Sequence, residues 1–280
     1  MADTEEWMRA DSKPPVELHT DRAHAARVYD VLLGGKTNYP ADRQAAEQLL
    51  VSLPNAATIA RQNRDFMHRV ARHLVAEEGI RQFLDIGTGI PTSPNLHEVT
   101  QRIAPESRVV YADNDPIVLV HSRALHHSSP EGRTAYIQGD LCEPASILEH
   151  PELLQTFDLT RPVAVTLIAI LHWLPKGEDP YEIVGGILDR LPSGSCLALT
   201  HVTDDFEPAA MREATDGLKA GGSNVEARTR DEVLRFFDGM ELLEPGLEVV
   251  QRWRPDPVDL GSDALGPTDI PLYAGAARKK

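Results

Sequence analysis

Residues 82–92, Gln82-Phe-Leu-Asp-Ile-Gly-Thr-Gly-Ile-Pro-Thr92, restrict the fold more than any other stretch of this chain. The apolar pair Phe83-Leu84 leads into Asp85, and glycines follow at Gly87 and Gly89. A short apolar run of this kind reads as a buried strand, and the glycines let the backbone turn sharply and come close to a ligand. Pro91, then Ser93, Pro94 and Asn95, predict the start of a helix with Thr92 or Ser93 as its N-cap. Strand, glycine turn and helix make the opening unit of a nucleotide-binding α/β sheet.

Two details decide which nucleotide. A dinucleotide fingerprint, G-x-G-x-x-G, needs a third glycine where Thr92 stands, which disfavours an NAD-dependent oxidoreductase. Instead an acid, Asp85, stands two residues before the first glycine. This Asp-x-Gly-x-Gly resembles motif I of class I S-adenosylmethionine (SAM) methyltransferases. SAM carries an ammonium and a sulfonium in place of a pyrophosphate, and an acid behind the loop suits those charges.

Downstream, strands and helices alternate, the signature of a parallel sheet. Ser107 to Asp113 reads as a second strand, and Asp113 stands where a ribose-binding carboxylate is needed. Asp115, directly before Pro116, fits the role of a helix cap better. After a helix over 116–127, Arg133 to Asp140 reads as a third strand with a terminal acid. Pro162 to Ile170 is apolar and β-branched, consistent with a central strand buried on both faces. It opens into Leu171-His172-Trp173-Leu174-Pro175. A helix over 180–191, a strand over 195–201 and helices over 207–219 and 229–238, flanking Gly221-Gly222, come next. Two closing strands, Leu247–Arg254 and Leu272–Gly275, are separated by a loop rich in Pro, Gly and Asp.

Before the glycine motif, residues 1 to about 19 read as a loose polar leader. Thr20 or Asp21 is placed to cap a first helix with Ala25, Val28 and Leu32 at helical spacing, ended by Gly34-Gly35. Helices over 41–51 and 56–78 follow, the last stopping at Gly79. Its stripe is Ile59, Phe66, Met67, Val70 and Leu74, and Asn63 falls on the same face. A polar side chain there must either bond a neighbouring backbone group or face a ligand.

Bulk properties narrow the function. The formal charge of −15 argues against a broad nucleic-acid-binding surface. Two cysteines, Cys142 and Cys196, lie far apart, which fits a reducing cytoplasm and excludes a disulfide scaffold or zinc ribbon. His97-Glu98 lacks the second histidine of a zincin, and no metal site is expected. The acidic N-terminus has no signal-peptide core, and the longest apolar stretch, Val163 to Leu171, is too short for a bilayer. The expectation is a soluble, cytoplasmic protein.

With three strand-end signals in order, residues 80–280 resemble class I SAM methyltransferases. A narrower likeness covers nearly the whole chain. Arg27-Val-Tyr-Asp-Val-Leu-Leu-Gly-Gly-Lys36-Thr-Asn38-Tyr-Pro-Ala-Asp42, Asn63-Arg64, Arg81 to Thr92, Val109 to Pro116 and Tyr273-Ala-Gly resemble the signature of a bacterial S-adenosyl methyltransferase family, formerly a domain of unknown function. The resemblance implies a Rossmann-like, seven-stranded α/β sheet, mostly parallel with an antiparallel C-terminal hairpin. It also implies a division into a leader and helical cap over 1–79 and a SAM-binding domain over 80–280.

The same resemblance implies SAM as cofactor, with S-adenosylhomocysteine (SAH) as product and no metal. The expected cofactor contacts are Asp85, Gly87, Thr88, Gly89, Asp113, Asn114, Asp140, Leu141, Asn63 and Arg64. Asp140 would accept from the adenine amino group and Leu141 would offer its amide to a ring nitrogen. Tyr29, Lys36, Asn38 and Trp173 are expected in the cap or acceptor pocket. Gly34-Gly35-Lys36 lacks the spacing of a phosphate loop and reads as a helix stop.

The expected reaction is in-line methyl transfer to an unidentified, small-molecule acceptor. His172 is the candidate base, because an unperturbed imidazole suits proton removal near neutral pH. Its alternative is a hydrogen bond to a buried backbone group. His201 is a second, weaker candidate. The rival to an enzyme is a SAM- or SAH-binding sensor or scaffold, which would share every cofactor motif. The expected partners are SAM and the acceptor, without nucleic acid or membrane, and a homodimer is compatible with the sequence.

Overall fold

A computed structural model describes residues 19–125, 128–174, 177–220, 224–256 and 270–280. The polar leader up to residue 18, Gly221-Gly222 and residues 257–269 of the Pro-, Gly- and Asp-rich loop lie outside the described residues.

Five parallel strands build the core of one sheet: β1 (Gln82–Ile86), β2 (Arg108–Asp113), β3 (Arg133–Gln138), β4 (Ala164–Leu167) and β5 (Cys196–Val202). Three further strands follow, β6 (Met240–Leu242), β7 (Glu248–Val249) and β8 (Leu272–Lys279). The order is β3-β2-β1-β4-β5-β8-β6, with β8 antiparallel to β5 and β6 and β7 pairing β8 off that path. Winding reverses between β1 and β4, so the strand ends there open a crevice where ligands of such sheets bind. β4 is buried along its whole length, which is why its sequence is a continuous apolar run rather than an alternating one.

The mostly parallel α/β sheet with antiparallel C-terminal strands is the expected architecture. Among the described residues seven strands form the path of the sheet, and β7 adds a two-residue pair to β8 beside it. The expected strand Leu247–Arg254 shrinks to β7 and gives way to a 3-10 turn at Val250–Arg252. The buried Arg69 causes this. Its guanidinium donates to the carbonyls of Trp253 and Val250 at 2.9 and 2.6 Å, oxygens that a strand would give to its ladder. The sheet edge is supplied instead by Met240–Leu242, paired antiparallel with β8.

Three helices precede the sheet: α1 (Ala25–Leu32), α2 (Pro40–Ser52) and α3 (Ala56–Ala76). The N-cap of α1 is His24 rather than Thr20 or Asp21, its ring nitrogen accepting from the Ala26 amide. Gly34, with φ +77°, turns the chain after α1, and Asp30 then accepts from the Thr37 amide and the Asn38 side chain. Phe66, Val70 and Leu74 of α3 are fully buried, each such side chain contributing about 1.5–3 kcal/mol. Trp253 meets Phe66 edge-to-face at 5.2 Å. α1 is held by polar pairs: Arg27, buried, lies 3.6 Å from Asp42 and 3.8 Å from Asp115, and His24 lies 3.2 Å from Asp115.

The crossover helices are α4 (Leu96–Ile103), α5 (Pro116–Leu125), α6 (Pro144–Leu148), α7 (Pro151–Thr156), α8 (Pro180–Asp189), α9 (Pro208–Ala220) and α10 (Arg230–Leu234). The cap of α4 is Asn95, not Thr92 or Ser93. Glu98 closes a capping box by accepting from the Asn95 amide, satisfying orphan donors that a serine two residues earlier cannot reach. α6 and α7 fill the connection between β3 and β4.

Candidate functional site

The carboxyl ends of β1, β2 and β3 carry the three acids singled out by their spacing. Asp85 stands at the end of β1, where Thr166 of β4 donates to Oδ1 at 2.5 Å and Thr88 donates to Oδ2 at 2.6 Å. Burial pushes the Asp85 carboxyl up from its ordinary range, while these hydrogen bonds and the charge of Arg64 oppose the shift. The loop after it needs its glycines for different reasons. Gly87 has φ +74°, and a Cβ there would meet the Ile170 side chain at 2.6 Å. Gly89 has φ +68°, but a Cβ there would meet no atom within 4 Å, so backbone conformation alone demands glycine.

The loop is locked to β2. Gly89 N–H donates to Asp113 Oδ2 at 2.9 Å and Asp115 N–H donates to Oδ1 at 2.9 Å. Each oxygen of Asp113 keeps a further lone pair. Burial raises the Asp113 carboxyl as well, against the pull of those two amides. Asp115 N-caps α5 by accepting from Ile117 N–H at 2.8 Å, the capping role expected of it. After β3, Asp140 Oδ1 accepts from Cys142 N–H at 2.9 Å, while Ser146 accepts from the Asp140 amide at 3.1 Å.

One cavity of about 450 Å³ is lined by all three acids together with Gly87, Thr88, Gly89, Asn114 and Leu141. Helices α1 and α3 add Tyr29, Asn63 and Arg64 to its wall. Asn63, only 2 % exposed, satisfies both ends of its amide. Its Nδ2 donates to Tyr29 Oη at 2.8 Å, and its Oδ1 accepts from Thr200 at 2.7 Å. Tyr29 in turn donates to the Ala60 carbonyl at 2.9 Å, and burial pushes its phenol up to about 12. Arg64 donates to the carbonyls of Thr92 and Pro94, bracing the end of the glycine loop.

Lys36 and Asn38 are not among the described lining residues. Lys36 is exposed in the turn after α1. Asn38 is consumed locally, donating to Asp30 at 2.8 Å and accepting from Arg43 at 2.8 Å.

His172 and Trp173 follow β4 and line the same cavity. The His172 ring is buried, its Nδ1 has no hydrogen-bond partner, and burial together with the Arg228 charge drives its pKa down to about 3. The ring therefore does not keep the ordinary imidazole pKa expected of it from the sequence. His201 is fully buried, donating from Nδ1 to the Val202 carbonyl at 2.8 Å and facing Arg228 at 2.7 Å through Nε2, and it does not line the cavity.

Several contributors went unrecognised in the sequence. Thr166, the polar interruption of the β4 run, orients Asp85, and Thr200 joins β5 to Asn63. Leu49 and Leu53, on and just after α2, and Met211 and Leu218 of α9 wall the cavity, but in sequence they read as ordinary apolar helix faces. Among the described residues no three His, Cys, Asp or Glu side chains converge as a metal site, and no helix is long and apolar enough to cross a membrane.

Comparison with known proteins agrees with this architecture. A DUF574 family protein from Streptomyces avermitilis MA-4680 superposes with a TM-score of 0.91 at 49% identity, covering 94% of this chain and 100% of that one. A candidate methyltransferase from Thermobifida fusca YX gives 0.86 at 40% identity, covering 96% and 100%. The plantazolicin methyltransferase BpumL, solved with SAH, shares the fold alone, with a TM-score of 0.50 at 12% identity over 91% of this chain and 95% of that one. A search of curated proteins gives no match. The family model described as S-adenosyl methyltransferase matches residues 11–280, and the chain belongs to that family of SAM-dependent methyltransferases.

Proposed function

We infer that the chain transfers the methyl group of SAM to a small-molecule acceptor held over β4 and β5. The observation that carries this reading is the convergence of Asp85, Asp113 and Asp140 on a single cavity. The donor set suits the cofactor. Asp113, with a free lone pair on each oxygen, accepts from the ribose hydroxyls. Asp140 accepts from the adenine amino group, beside the backbone of Leu141. Asp85 offers negative charge to the methionine end, with Asn63 and Arg64 lining the same cavity. Gly87 and Gly89 let the loop backbone approach without side chains in the way, and Asn114 and Thr88 complete the rim.

When bound, SAM supplies an electrophilic methyl group on a sulfonium. The chain's part is to orient the two reactants and exclude water. Residues of α1, α2 and α9 close over the strand ends, which supports a small acceptor rather than a macromolecular one. His172 faces this space as a neutral imidazole. With a pKa of about 3 it orients a donor group on the acceptor rather than storing the proton near neutral pH. Tyr29 positions Asn63, and Trp173 supplies a flat apolar wall.

The test is label transfer. Purified protein incubated with methyl-labelled SAM and a small-molecule fraction of cell extract should form a labelled product and SAH. Tight SAH binding with no transfer across many extracts would instead favour a cofactor-binding sensor.

A further inference from the structure

The two halves of the cavity differ in chemistry. The acidic and basic side chains on its wall, among the described residues, are His24, Arg64, Asp85, Asp113, Asp140 and His172. Three of them are the acids at the ends of β1, β2 and β3, on one side of the point where the sheet reverses. Arg64 is spent on the carbonyls of Thr92 and Pro94, and His24 lies 3.2 Å from Asp115, beside the β2 end.

Across the reversal, toward β4, β5 and β8, the wall changes character. Ile168, Ile170 and Val202 leave the strand ends there, Leu272 begins β8, and Trp173 and Leu174 follow the 4th strand. The roof over this side is α9 packed against α2, presenting Met211, Ala214 and Leu218 beside Leu49 and Leu53. The Thr215 hydroxyl on this wall donates to the Arg212 carbonyl, and Thr200, buried behind the wall, donates to Asn63 and accepts from the Ala169 amide. The buried Nδ1 of His172, which lines the cavity just after β4, lacks a hydrogen-bond partner.

We propose that the acceptor is a neutral, predominantly apolar small molecule whose ring or hydrocarbon body fills the chamber between the β4–β5 ends and helices α2 and α9. This rests on the reading of the β1–β3 side as the SAM side. A carboxylate, phosphate or ammonium on the acceptor would shed its hydration with no opposite charge to receive it. Apolar surface gains by entering the same space. A single hydroxyl or N–H can be met by His172.

Calorimetry on SAH-loaded protein with three probes of one size tests this: 2-naphthol, 2-naphthoate and 2-naphthylmethylammonium. The expected result is 2-naphthol binding at least tenfold more tightly than either charged probe. Equal or tighter binding of a charged probe, or no binding by any of the three, overturns the proposal. SAH binding is measured first, and its absence would strike the underlying cofactor reading instead. Leu218→Asp, or Leu49→Asp on the facing wall, should shift the ratio of 2-naphthol to ammonium affinity at least tenfold toward the ammonium. SAH binding reports that the variant is folded, and an unchanged ratio in a folded variant also counts against the chamber.

Discussion

The Thr200 hydroxyl on β5 donates to the Asn63 amide oxygen of α3 at 2.7 Å, joining that helix to the sheet. The other end of the same amide holds the Tyr29 hydroxyl of α1. Three elements distant in sequence thus meet at one buried side chain.

Replacing that side chain should loosen the packing of α1 and α3 on the sheet. Asn63→Leu leaves the buried Thr200 hydroxyl proton without its acceptor and removes the bond to Tyr29, whose own donation to the Ala60 carbonyl remains, and should cost about 1–3 kcal/mol of stability. Urea unfolding followed by circular dichroism measures it. A change below about 0.5 kcal/mol, within the range of ordinary surface substitutions, would mean that the network carries no weight.

Asp113→Ala should weaken SAH binding by about 1–3 kcal/mol, the loss of a charge-assisted pair of bonds to the ribose. The variant also frees the Gly89 amide that Asp113 holds. Calorimetry is the measurement, and unchanged affinity would place the ribose elsewhere.

The two loop glycines should respond unequally. A side chain at either meets a positive φ, costing about 1–3 kcal/mol. Gly87→Ala also drives a methyl into Ile170, whereas Gly89→Ala finds no protein atom within 4 Å. Thermal unfolding should therefore show the larger loss for Gly87→Ala. Equal losses would contradict the close contact with Ile170.

His172 gives a pH dependence of defined sign. Its folded pKa of about 3 lies below the ordinary imidazole value, so the unfolded chain takes up the proton first. Its contribution to stability is whole above about pH 6.5 and falls progressively as pH drops toward 3. His172→Gln should flatten the fall in stability over that interval. Burial lowers His201 too, and that residue keeps its own share of the acid sensitivity. An unaltered pH–stability curve would contradict the assignment, as would an inflection near pH 6.5 in wild-type kcat/KM that disappears in this variant.

The strand-end acids were legible because strand, turn and acid lie within a few residues of one another and recur in order. Asn63 was legible as a polar break in an apolar stripe. What could not be read was set by distant contacts. Arg69 captures two carbonyls more than 180 residues away and ends β7 early. β6 has three residues, none buried, and so carries no apolar signal. Asn38 is held by Asp30 in the turn after α1, while Lys36 is left exposed there. The burial that lowers the His172 pKa depends on elements packed around it, which its neighbours Trp173 and Leu174 only hint at.

A crystal structure with SAH is the most direct test of whether Asp85, Asp113 and Asp140 serve one ligand. The expected result places the ribose hydroxyls within about 3.2 Å of the Asp113 carboxylate. The adenine amino group should lie beside Asp140, and the methionine end should lie over the Gly87–Gly89 loop. An adenosyl group bound away from the β1–β3 ends, or one whose ribose makes no contact with Asp113, would contradict it.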